Sequence, residues 1–351
     1  MALMPLDLTH PDVEFAIAAV RRASQLAEEV RQELAGQSLK KEDRSPVTVA
    51  DFAAQALVGA ILSQKFPKDV LVAEESADEL KKPAGKETLK KVVEYVARVL
   101  PEADDAKVCA WIDRGAGEPA ARFWVMDPID GTKGFLRGDQ YAVALALIEN
   151  GEVKIGVLGC PNLKEARIPE PGGPGTMAVA VKGQGSWWTP MRGSSKFQPL
   201  HVSDTAAASE SVLLRSYESG HTDSSQMQGI LKNLATKRTP VLMDSLAKYT
   251  VLAAGGADLL FRLNSSGDPN RREYIWDQAP GTLIAEEAGG RATDLNGKKL
   301  DYGAGRTLKN NLGVLVSNGL LHDAALKALQ GTFDQRADVK AAPKPAVKGK
   351  R

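Results

Sequence analysis

A predicted strand that runs directly into two closely spaced carboxylates constrains this chain more than any other segment. The apolar run Phe123–Met126 is typical of a buried strand, and Asp-Pro-Ile-Asp-Gly-Thr follows it at residues 127–132. The proline fixes the backbone and the glycine permits a tight turn, so Asp127, Asp130 and the Ile129 carbonyl can point at one place. Such oxygen ligands suit a hard divalent cation such as Mg²⁺. An ordinary Asp-Pro/Asp-Gly turn is the alternative interpretation.

The residues after the second carboxylate are suited to an anion. Gly131 and Thr132 offer backbone N–H groups, and Thr132 adds a hydroxyl. An anion bound there would lie beside the expected cation. The turn therefore predicts neighbouring positions for a metal ion and a phosphate group.

Carboxylates recur at the ends of other predicted elements. Glu74 and Glu75 close a short strand. Asp51 lies in the first turn of a helix, and Asp277 stands just before an apolar helix. Taken separately, Asp51 and Asp277 could simply stabilise a helix by interacting with its dipole, and Glu74 and Glu75 could simply be solvated side chains at a corner of the chain. Taken together, they are typical of a two-metal site for phosphoryl chemistry, in which metal ions neutralise phosphate charge and activate water.

The composition excludes several classes of protein. The chain has 45 Lys and Arg against 44 Asp and Glu, and this balance excludes a dominant attraction to nucleic acid or anionic membranes. We identify no apolar run near the ~20 residues of a membrane-spanning helix and no secretory leader. A cytoplasmic protein is expected, and an organellar targeting segment is compatible with the sequence. Cys109 and Cys160 are expected to be reduced and buried, with redox control as the alternative.

The order of predicted elements divides the chain into two domains and a tail. We predict an α+β domain over residues 1–195, an α/β domain over 196–334 and a disordered basic tail over 335–351. In chain order, the predicted helices are 13–34, 48–62, 89–100, 224–235, 245–254, 277–288 and 320–329, and the predicted strands are 71–73, 123–126, 141–148, 153–158, 177–181, 185–189, 211–215, 239–243, 258–263 and 311–317.

Several short segments together resemble the lithium-sensitive, magnesium-dependent phosphomonoesterase superfamily, which includes inositol monophosphatases and fructose-1,6-bisphosphatases. They are Ser45–Asp51, Val72–Glu75, Asp127–Thr132 and Trp276–Asp277. The continuation Lys133–Val143 is similar to the eukaryotic 3′(2′),5′-bisphosphate nucleotidases. The resemblance extends in order from about residue 12 to residue 330. It implies the superfamily's layered α-β-α-β-α sandwich, a fold of mixed α+β and α/β class.

The resemblance also implies roles for individual residues. The ligands of two or three Mg²⁺ ions would be Glu74, Asp127, Asp130, Asp277 and the Ile129 carbonyl. Asp51 and Thr132 would form a pair that takes the proton from an attacking water, and a hydroxyl placed in this way can relay a proton. Gly131 and Thr132 would contact phosphate. Glu75 is a secondary candidate for metal contact.

The second half of the chain is expected to bind the nucleotide. The positions that match the family's substrate contacts are His221, Ser245, Lys248 and Arg262. Lys and Arg side chains suit the 5′-phosphate, and His suits phosphate or ribose. Without the resemblance, each would be interpreted as an ordinary surface or core residue. Gln278 replaces the His that family members commonly place after Trp-Asp, a change expected to bear on substrate contacts rather than on the metal site.

The resemblance implies a Mg²⁺-dependent enzyme that hydrolyses adenosine 3′,5′-bisphosphate to AMP and phosphate, with 3′-phosphoadenylyl sulfate as a related substrate. The alternatives are inositol polyphosphate 1-phosphatase or inositol monophosphatase activity and, in another class, a non-catalytic nucleotide or metal sensor. The expected partner is a small nucleotide bisphosphate, without nucleic acid or membrane. The expected assembly is a monomer or weak homodimer.

Overall fold

The computed structural model describes residues 6–35, 45–193, 196–217, 224–263 and 271–341. In chain order, the helices are α1 (Pro11–Ala35), α2 (Ser45–Lys65), α3 (Asp78–Lys81), α4 (Lys86–Ala97), α5 (Asp105–Asp113), α6 (Thr132–Arg137), α7 (Ser224–Leu234), α8 (Ala247–Ala253), α9 (Ala279–Glu287) and α10 (His322–Ala341). The strands are β1 (Val70–Ala73), β2 (Arg122–Asp130), β3 (Ala142–Glu149), β4 (Glu152–Cys160), β5 (Leu163–Lys164), β6 (Ile168–Pro169), β7 (Thr176–Val181), β8 (Gly185–Pro190), β9 (Gln198–Pro199), β10 (Leu213–Arg215), β11 (Val241–Leu242), β12 (Leu259–Arg262), β13 (Arg291–Thr293) and β14 (Val314–Ser317).

The strands form two main sheets. The first has the order β1-β2-β3-β4-β7-β8-β9, with β1 and β2 parallel and the remaining neighbours antiparallel. The second has the order β11-β10-β12-β14-β13. Strands β10, β11 and β12 run parallel, so their carboxyl ends meet at one edge. Two of the predicted substrate residues belong to this edge, since Arg262 ends β12 and Ser245 follows β11.

Alternating side chains place each sheet between helical layers. In β2, Trp124 and Met126 pack with α1 and α2, whereas Phe123 and Val125 face the opposite side with α8 and α9. In the second sheet, Leu260 faces α8 and α9, and its neighbours in β12 face α7 and α10. Because strand side chains alternate between faces, both sheets are covered on both sides. The result is a helix-sheet-helix-sheet-helix sandwich.

Several elements differ from the sequence expectations. Helix α5 was not among the predicted helices, and it begins after Asp104, whose side chain caps it by accepting a hydrogen bond from the Lys107 N–H at 2.8 Å. Helix α6 has only six residues between Gly131 and Gly138, both with positive φ, and is too short for a periodic signal. The segment expected to be a turn after residue 126 continues β2 as far as Asp130.

The last helix extends into the predicted disordered tail. Helix α10 continues to Ala341, which corrects the expected tail start at residue 335. Residues 335–341 contain good helix formers, and the first proline of the tail comes only at position 343. Residues 342–351 lie outside the described part of the chain, so that part of the prediction is untested.

Helix α2 corrects the expectation about apolar runs. Its segment Val47–Lys65 has 19 residues and a mean hydropathy of 1.3, long and apolar enough to cross a membrane by length and composition. In the structure, 72% of its apolar window is buried. It packs against α1, α4, α5 and β2. The apolar character of α2 is therefore that of a core helix.

Candidate active site

The end of β1 is held against α2 by one buried amide side chain. Gln55 lies one turn after Asp51 on α2 and is completely buried. Its Oε1 accepts a hydrogen bond from the Glu75 N–H at 2.9 Å. Its Nε2 donates to the carbonyls of Glu75 at 2.7 Å and Ile112 at 2.8 Å. These contacts keep Glu74 and Glu75 close enough for their charges to act on Asp51.

The end of β2 carries the most buried carboxylate of the site. Asp127 is 2% exposed, and its Oδ1 has no hydrogen-bond partner among the described residues. Strands β2 and β3 lose their regular register between Asp127 and Asp130, where Pro128 has no N–H to donate. Irregularities of this kind redirect side chains. Both carboxylates lie near Glu74 at the end of β1.

The turn before α6 touches the turn before α8. Gly131 has a φ of +90°, and a Cβ built on it would lie 2.7 Å from the Cβ of Ser245. Ser245 is itself buried, with a φ of +66°. The next residue, Leu246, donates its N–H to Asp130 Oδ2. Two of the predicted substrate residues are therefore neighbours, and exposed Thr132 follows them at the start of α6.

Six carboxylates at these element ends are close enough for their charges to act on one another and together form what we call the acidic cluster, and we use the word cleft for the space beside it. They are Asp51, Glu74, Glu75, Asp127, Asp130 and Asp277. Burial, followed by the charge of Glu74, raises the pKa of Asp127 well above its ordinary value. Burial and the charge of Asp130 raise the pKa of Asp277 in the same way, against an opposing effect of Arg262. Burial and the charge of Glu74 raise the pKa of Glu75 to about 7.

The acidic cluster fits a divalent cation by the chemistry of its donors. All six side chains present oxygen atoms, the ligands that Mg²⁺ prefers. The unpartnered Oδ1 of Asp127 and the raised pKa values indicate carboxylates without enough positive charge nearby. Within the described ranges, no group of three or more His, Cys, Asp or Glu side chains is arranged so that it could hold a metal ion. The donor set therefore fits a cation by its chemistry, while the side chains as they stand do not form a coordination site.

Two cations, which we call the basic pair, lie beside the acidic cluster, and the first is buried whereas the side chain of the second, Arg262, is 23% exposed. Lys248 is 2% exposed, and its Nζ donates to the Met243 carbonyl at 3.2 Å. Burial, followed by the charge of Arg262, lowers the pKa of Lys248 to about 8. Arg262 ends β12, and its Nε and Nη2 donate to Glu273 Oε2 at 3.2 and 2.8 Å. Its Nη2 lies 3.9 Å from Asp277 Oδ2.

Gln278 belongs to a buried network behind Arg262. It is completely buried, and its Nε2 donates to Glu273 Oε2 at 2.8 Å. Its Oε1 accepts a hydrogen bond from the Tyr249 hydroxyl. Burial by itself would raise the pKa of Glu273, but the charge and hydrogen bonds of Arg262 outweigh it and the pKa is lowered. Gln278, which departs from the family pattern, therefore contacts Glu273, and Glu273 in turn holds the predicted substrate residue Arg262.

Arg306 joins two parts of the acidic cluster from the side. Its Nη2 donates to the Ala73 carbonyl at 2.5 Å, and its Nη1 donates to carbonyls in the loop 115–117 at 2.9 and 3.3 Å. The guanidinium lies 4.9 Å from the centroid of the Trp276 ring. The residues that directly follow Ala73 and Trp276 are carboxylates of the acidic cluster. One side chain therefore links the ends of two segments that are distant in sequence.

Two of the predicted arrangements stay predictions. No hydrogen bond joins Asp51 to Thr132 in the described part of the chain. His221 lies outside the described residues, so its predicted contact with substrate is untested. The side chain of Ile129 packs with the core under α1 and α2, which leaves its carbonyl as the group relevant to a metal.

A family model covers most of the sequence. The model described as Inositol monophosphatase family matches residues 9–332. This chain belongs to the inositol monophosphatase family. A Schizosaccharomyces pombe protein named 3′(2′),5′-bisphosphate nucleotidase is 40% identical over 335 residues, which cover 90% of this chain and 94% of the relative. An Oryza sativa protein of the same name is 37% identical over 339 residues, covering 91% and 93%.

Solved structures of the inositol monophosphatase family share the fold. The IMPase of Thermotoga maritima aligns with a TM-score of 0.60 at 21% identity, covering 93% of this chain and 99% of that protein. At this level of identity, the likeness concerns the fold alone. It agrees with the layered sandwich, and the predicted fold class and family resemblance are confirmed.

Sequence reasoning missed three residues that support the site in this family member. Gln55 had a recognisable signal, since it is a polar residue within an apolar helix, four positions after a predicted catalytic Asp. Glu273 stands four residues before Asp277, but nothing in the sequence indicates that it meets Arg262. Arg306 contacts Ala73, which is 233 positions away, and only the folded chain reveals that contact.

Proposed function

We propose that this protein is a Mg²⁺-dependent 3′(2′),5′-bisphosphate nucleotidase that hydrolyses adenosine 3′,5′-bisphosphate to AMP and phosphate. The observation that carries the proposal is the acidic cluster with the basic pair beside it, since metal ions and cations together suit a substrate with two phosphates. The bisphosphate nucleotidases from Schizosaccharomyces pombe and Oryza sativa, each similar along about nine-tenths of this chain, support the same substrate class. 3′-Phosphoadenylyl sulfate, which has the same 3′-phosphate, is proposed as a second substrate.

The acidic cluster is proposed to hold the metal. Glu74, Asp127, Asp130, Asp277 and the Ile129 carbonyl would be the ligands of two or three Mg²⁺ ions. When bound, Mg²⁺ neutralises phosphate charge and increases the acidity of water. Asp51 and Thr132 are proposed to remove the proton from the attacking water, with the Thr132 hydroxyl between the water and the carboxylate. This role requires the two side chains to approach each other when substrate and metal are present.

The turn at Gly131 is proposed to bind the phosphate that is removed. The N–H groups of Gly131 and Thr132 lie at the start of α6. Backbone N–H groups are good hydrogen-bond donors to phosphate oxygens. A side chain at position 131 would collide with Ser245, since the added Cβ would lie 2.7 Å from that residue's Cβ. Glycine at this position therefore permits the close approach of the two turns that line the cleft.

The basic pair is proposed to bind the phosphate that stays on the product. Lys248 and Arg262 supply the charge, and Ser245 and His221 are proposed as further nucleotide contacts. Both cations are held by other protein groups, Lys248 by a carbonyl and Arg262 by Glu273. Their side chains are therefore ordered before the substrate binds, which lowers the entropy cost of binding.

A substrate panel with Mg²⁺ tests the proposed function. Phosphate release is measured from adenosine 3′,5′-bisphosphate, 3′-phosphoadenylyl sulfate, inositol 1,4-bisphosphate and inositol monophosphate. We expect the highest kcat/KM for the adenosine bisphosphate and none of that activity in excess EDTA. High activity on inositol monophosphate with none on the adenosine bisphosphate would contradict the proposal. Binding of the nucleotide without turnover of any of the four compounds would indicate a non-catalytic sensor.

The setting of the enzyme is proposed to be the cytoplasm, where it acts on small molecules as a monomer or weak homodimer and without nucleic acid. Analytical ultracentrifugation over a range of protein concentrations tests the assembly. Fractionation of the source cells tests the compartment.

A further inference from the structure

Arg262 faces two competing carboxylates. Its Nη2 donates to Glu273 Oε2 at 2.8 Å and lies 3.9 Å from Asp277 Oδ2. The Glu273 side chain is 7% exposed and that of Asp277 is 17% exposed, so both attractions act where water screens them little. The Asp277 carboxylate is already at ion-pair distance, and a guanidinium that moved by about one ångström would form a hydrogen bond with Asp277 instead of Glu273. Something in the structure must therefore favour the first partner.

The position of Glu273 is set by further buried hydrogen bonds besides those from Arg262. Its Oε2 accepts from Gln278 Nε2 at 2.8 Å in addition to the two bonds from Arg262. Gln278 is in turn fixed by the Tyr249 hydroxyl, which donates to its Oε1. Tyr249, Glu273 and Gln278 are buried, with exposures of 2%, 7% and 0%. In such surroundings each hydrogen bond restricts the next, because an unpaired polar group would be costly.

We propose that Glu273, held by Gln278 and Tyr249, keeps the Arg262 guanidinium from hydrogen-bonding to Asp277, so that Arg262 serves the product phosphate and Asp277 serves the cation. Glu273, Gln278 and Tyr249 are positioning residues in this proposal, since they act through Arg262. The inference rests on the proposed function, because it assigns the two sides of the cleft to a phosphate and to a divalent cation.

The chemistry of the amide explains why glutamine suits this position. Gln278 donates to a carboxylate and accepts from a hydroxyl at the same time, and it is neutral at every pH. Neutral histidine can do both with its two ring nitrogens, so Gln278→His retains the two hydrogen-bonding roles. Gln278→Leu retains approximate volume and loses both. The pair of variants therefore separates the hydrogen bonds from the space that the side chain fills.

A second pair of variants isolates one oxygen atom. Tyr249→Phe removes only the hydroxyl that fixes Gln278. Tyr302→Phe is the matched control, because the Tyr302 hydroxyl is buried, lies 2.6 Å from Thr282 Oγ1 and has no contact with Arg262 or Glu273. Both changes remove a buried hydroxyl beside α9. Only the first interrupts the support of Arg262.

The experiment measures KM and kcat for adenosine 3′,5′-bisphosphate, together with Mg²⁺ binding to the substrate-free protein by calorimetry. We expect Gln278→Leu to raise KM about tenfold and to weaken Mg²⁺ binding about fivefold, because Arg262 then pairs with Asp277. Tyr249→Phe should shift both quantities in the same direction by about threefold. Gln278→His should recover most of both losses. Tyr302→Phe should leave KM and Mg²⁺ binding as in the unaltered protein.

The two readouts decide between outcomes. If Gln278→Leu and Tyr249→Phe leave Mg²⁺ binding unchanged, Arg262 does not compete for Asp277 and the proposal is wrong. If Tyr302→Phe produces the same shifts as Tyr249→Phe, the effect is a general loss of packing and the proposal is also wrong. Should Gln278→Leu not fold, the KM and Mg²⁺ binding of Tyr249→Phe decide between the same outcomes. An unaltered protein that is inactive on the bisphosphate refutes the proposed function, while weaker Mg²⁺ binding in Gln278→Leu would still support the separation of Arg262 from Asp277.

Discussion

The acidic cluster and the basic pair, which we call the acidic wall and the basic wall of the cleft, differ in how their charges are compensated. In the acidic cluster, carboxylates from different segments face one another, and the most buried of them, Asp127, has an unpartnered oxygen. In the basic pair, each cation already has a protein acceptor: Lys248 a carbonyl and Arg262 a carboxylate. Each wall has one buried member, Asp127 or Lys248, while its other members are partly or fully exposed. Only the acidic wall lacks compensation among the described residues.

This difference indicates what each wall contributes to binding. Uncompensated carboxylates gain most from an added cation, so the acidic wall is where a metal would supply binding energy. A compensated arginine gains less from a phosphate, because the phosphate shares it with Glu273. The basic wall therefore contributes less to the strength of binding than to the choice of ligands whose phosphate is in the right position. Substitutions in each wall test that contrast, beginning with the largest expected effect.

Asp127→Asn should have the largest effect. Loss of one buried oxygen donor to the metal is expected to lower kcat about 10³-fold in the Mg²⁺-dependent assay. The free energy of unfolding of the metal-free protein should not fall, because a neutral amide is less costly to bury than an unpaired carboxylate. Steady-state kinetics and urea unfolding in EDTA measure the two quantities.

Asp258→Asn is the matched control for that variant. Asp258 is also 2% exposed, but it accepts hydrogen bonds from the Ser203 hydroxyl and, at 2.6 Å, from the Val212 N–H. Its replacement should lower the free energy of unfolding by about 1–2 kcal/mol without changing the dependence on Mg²⁺. Equal losses of stability in the two variants would remove the contrast between the acidic wall and an ordinary buried carboxylate.

Arg262→Ala should raise KM for the bisphosphate about 30-fold, because the loss of one charge-assisted hydrogen bond of ~2 kcal/mol weakens binding by that factor. It should lower kcat much less. The variant leaves Glu273 buried without its cation, so the double variant with Glu273→Gln serves as the control for the stranded charge. KM and kcat are measured with adenosine 3′,5′-bisphosphate and with a substrate that has a single phosphate. An unchanged KM for the bisphosphate would count against a phosphate role for this arginine.

Arg306→Ala should weaken Mg²⁺ binding about tenfold, because the segments that precede Glu74 and Asp277 lose their common anchor. Arg114→Ala is the control. Arg114 also donates to backbone carbonyls, at 2.9 Å to Pro67 and to Asp69, but it does so at the opposite end of β1. Calorimetric titration with Mg²⁺ compares the variants, and equal weakening in both would show that Arg306 acts only through general stability.

Raising the pH should weaken the basic wall by a smaller amount. The pKa of Lys248 is lowered to about 8, so the amine loses its charge as the pH rises through 8. We expect kcat/KM for the bisphosphate to fall about threefold between pH 7.5 and pH 9, since one of two cations is neutralised. Above pH 7.5 the phosphates are already fully ionised and contribute no further change. A Lys248→Arg variant, which stays charged over this range, should flatten the profile, and the same fall in that variant would assign the titration to another group.

The metal half of the site could be predicted from sequence because its residues lie at element ends within short motifs. Asp127 and Asp130 come from one segment, and the strand before them is apolar on both faces, as expected for a buried strand. The family resemblance supplied the fold class, which the family model and the solved structures confirm. The assignment of Asp51 and Thr132 as a proton-transfer pair stays a prediction.

The supporting contacts could not be predicted, because they join distant positions through side-chain geometry. The bonds from Arg262 to Glu273 and from Gln278 to Glu273 depend on how β12 and the segment before α9 pass each other. The short helices α5 and α6 were also missed, the first because its start depends on a single capping Asp and the second because six residues show no period. Periodicity reports which face is buried, but it does not report which polar groups meet there.

The contacts of Arg306 have a consequence for solubility as well as for the site. Strand β1 is at the border of the seven-stranded sheet, a position that would expose unpaired backbone groups to another chain. The loop 115–117 covers this border: the Ala73 N–H donates to the Gly115 carbonyl at 2.8 Å, and the Gly117 N–H donates to the Leu71 carbonyl at 3.1 Å. Arg306 holds both glycine carbonyls in place. The same guanidinium that connects the acidic segments therefore also closes the sheet against edge-to-edge association.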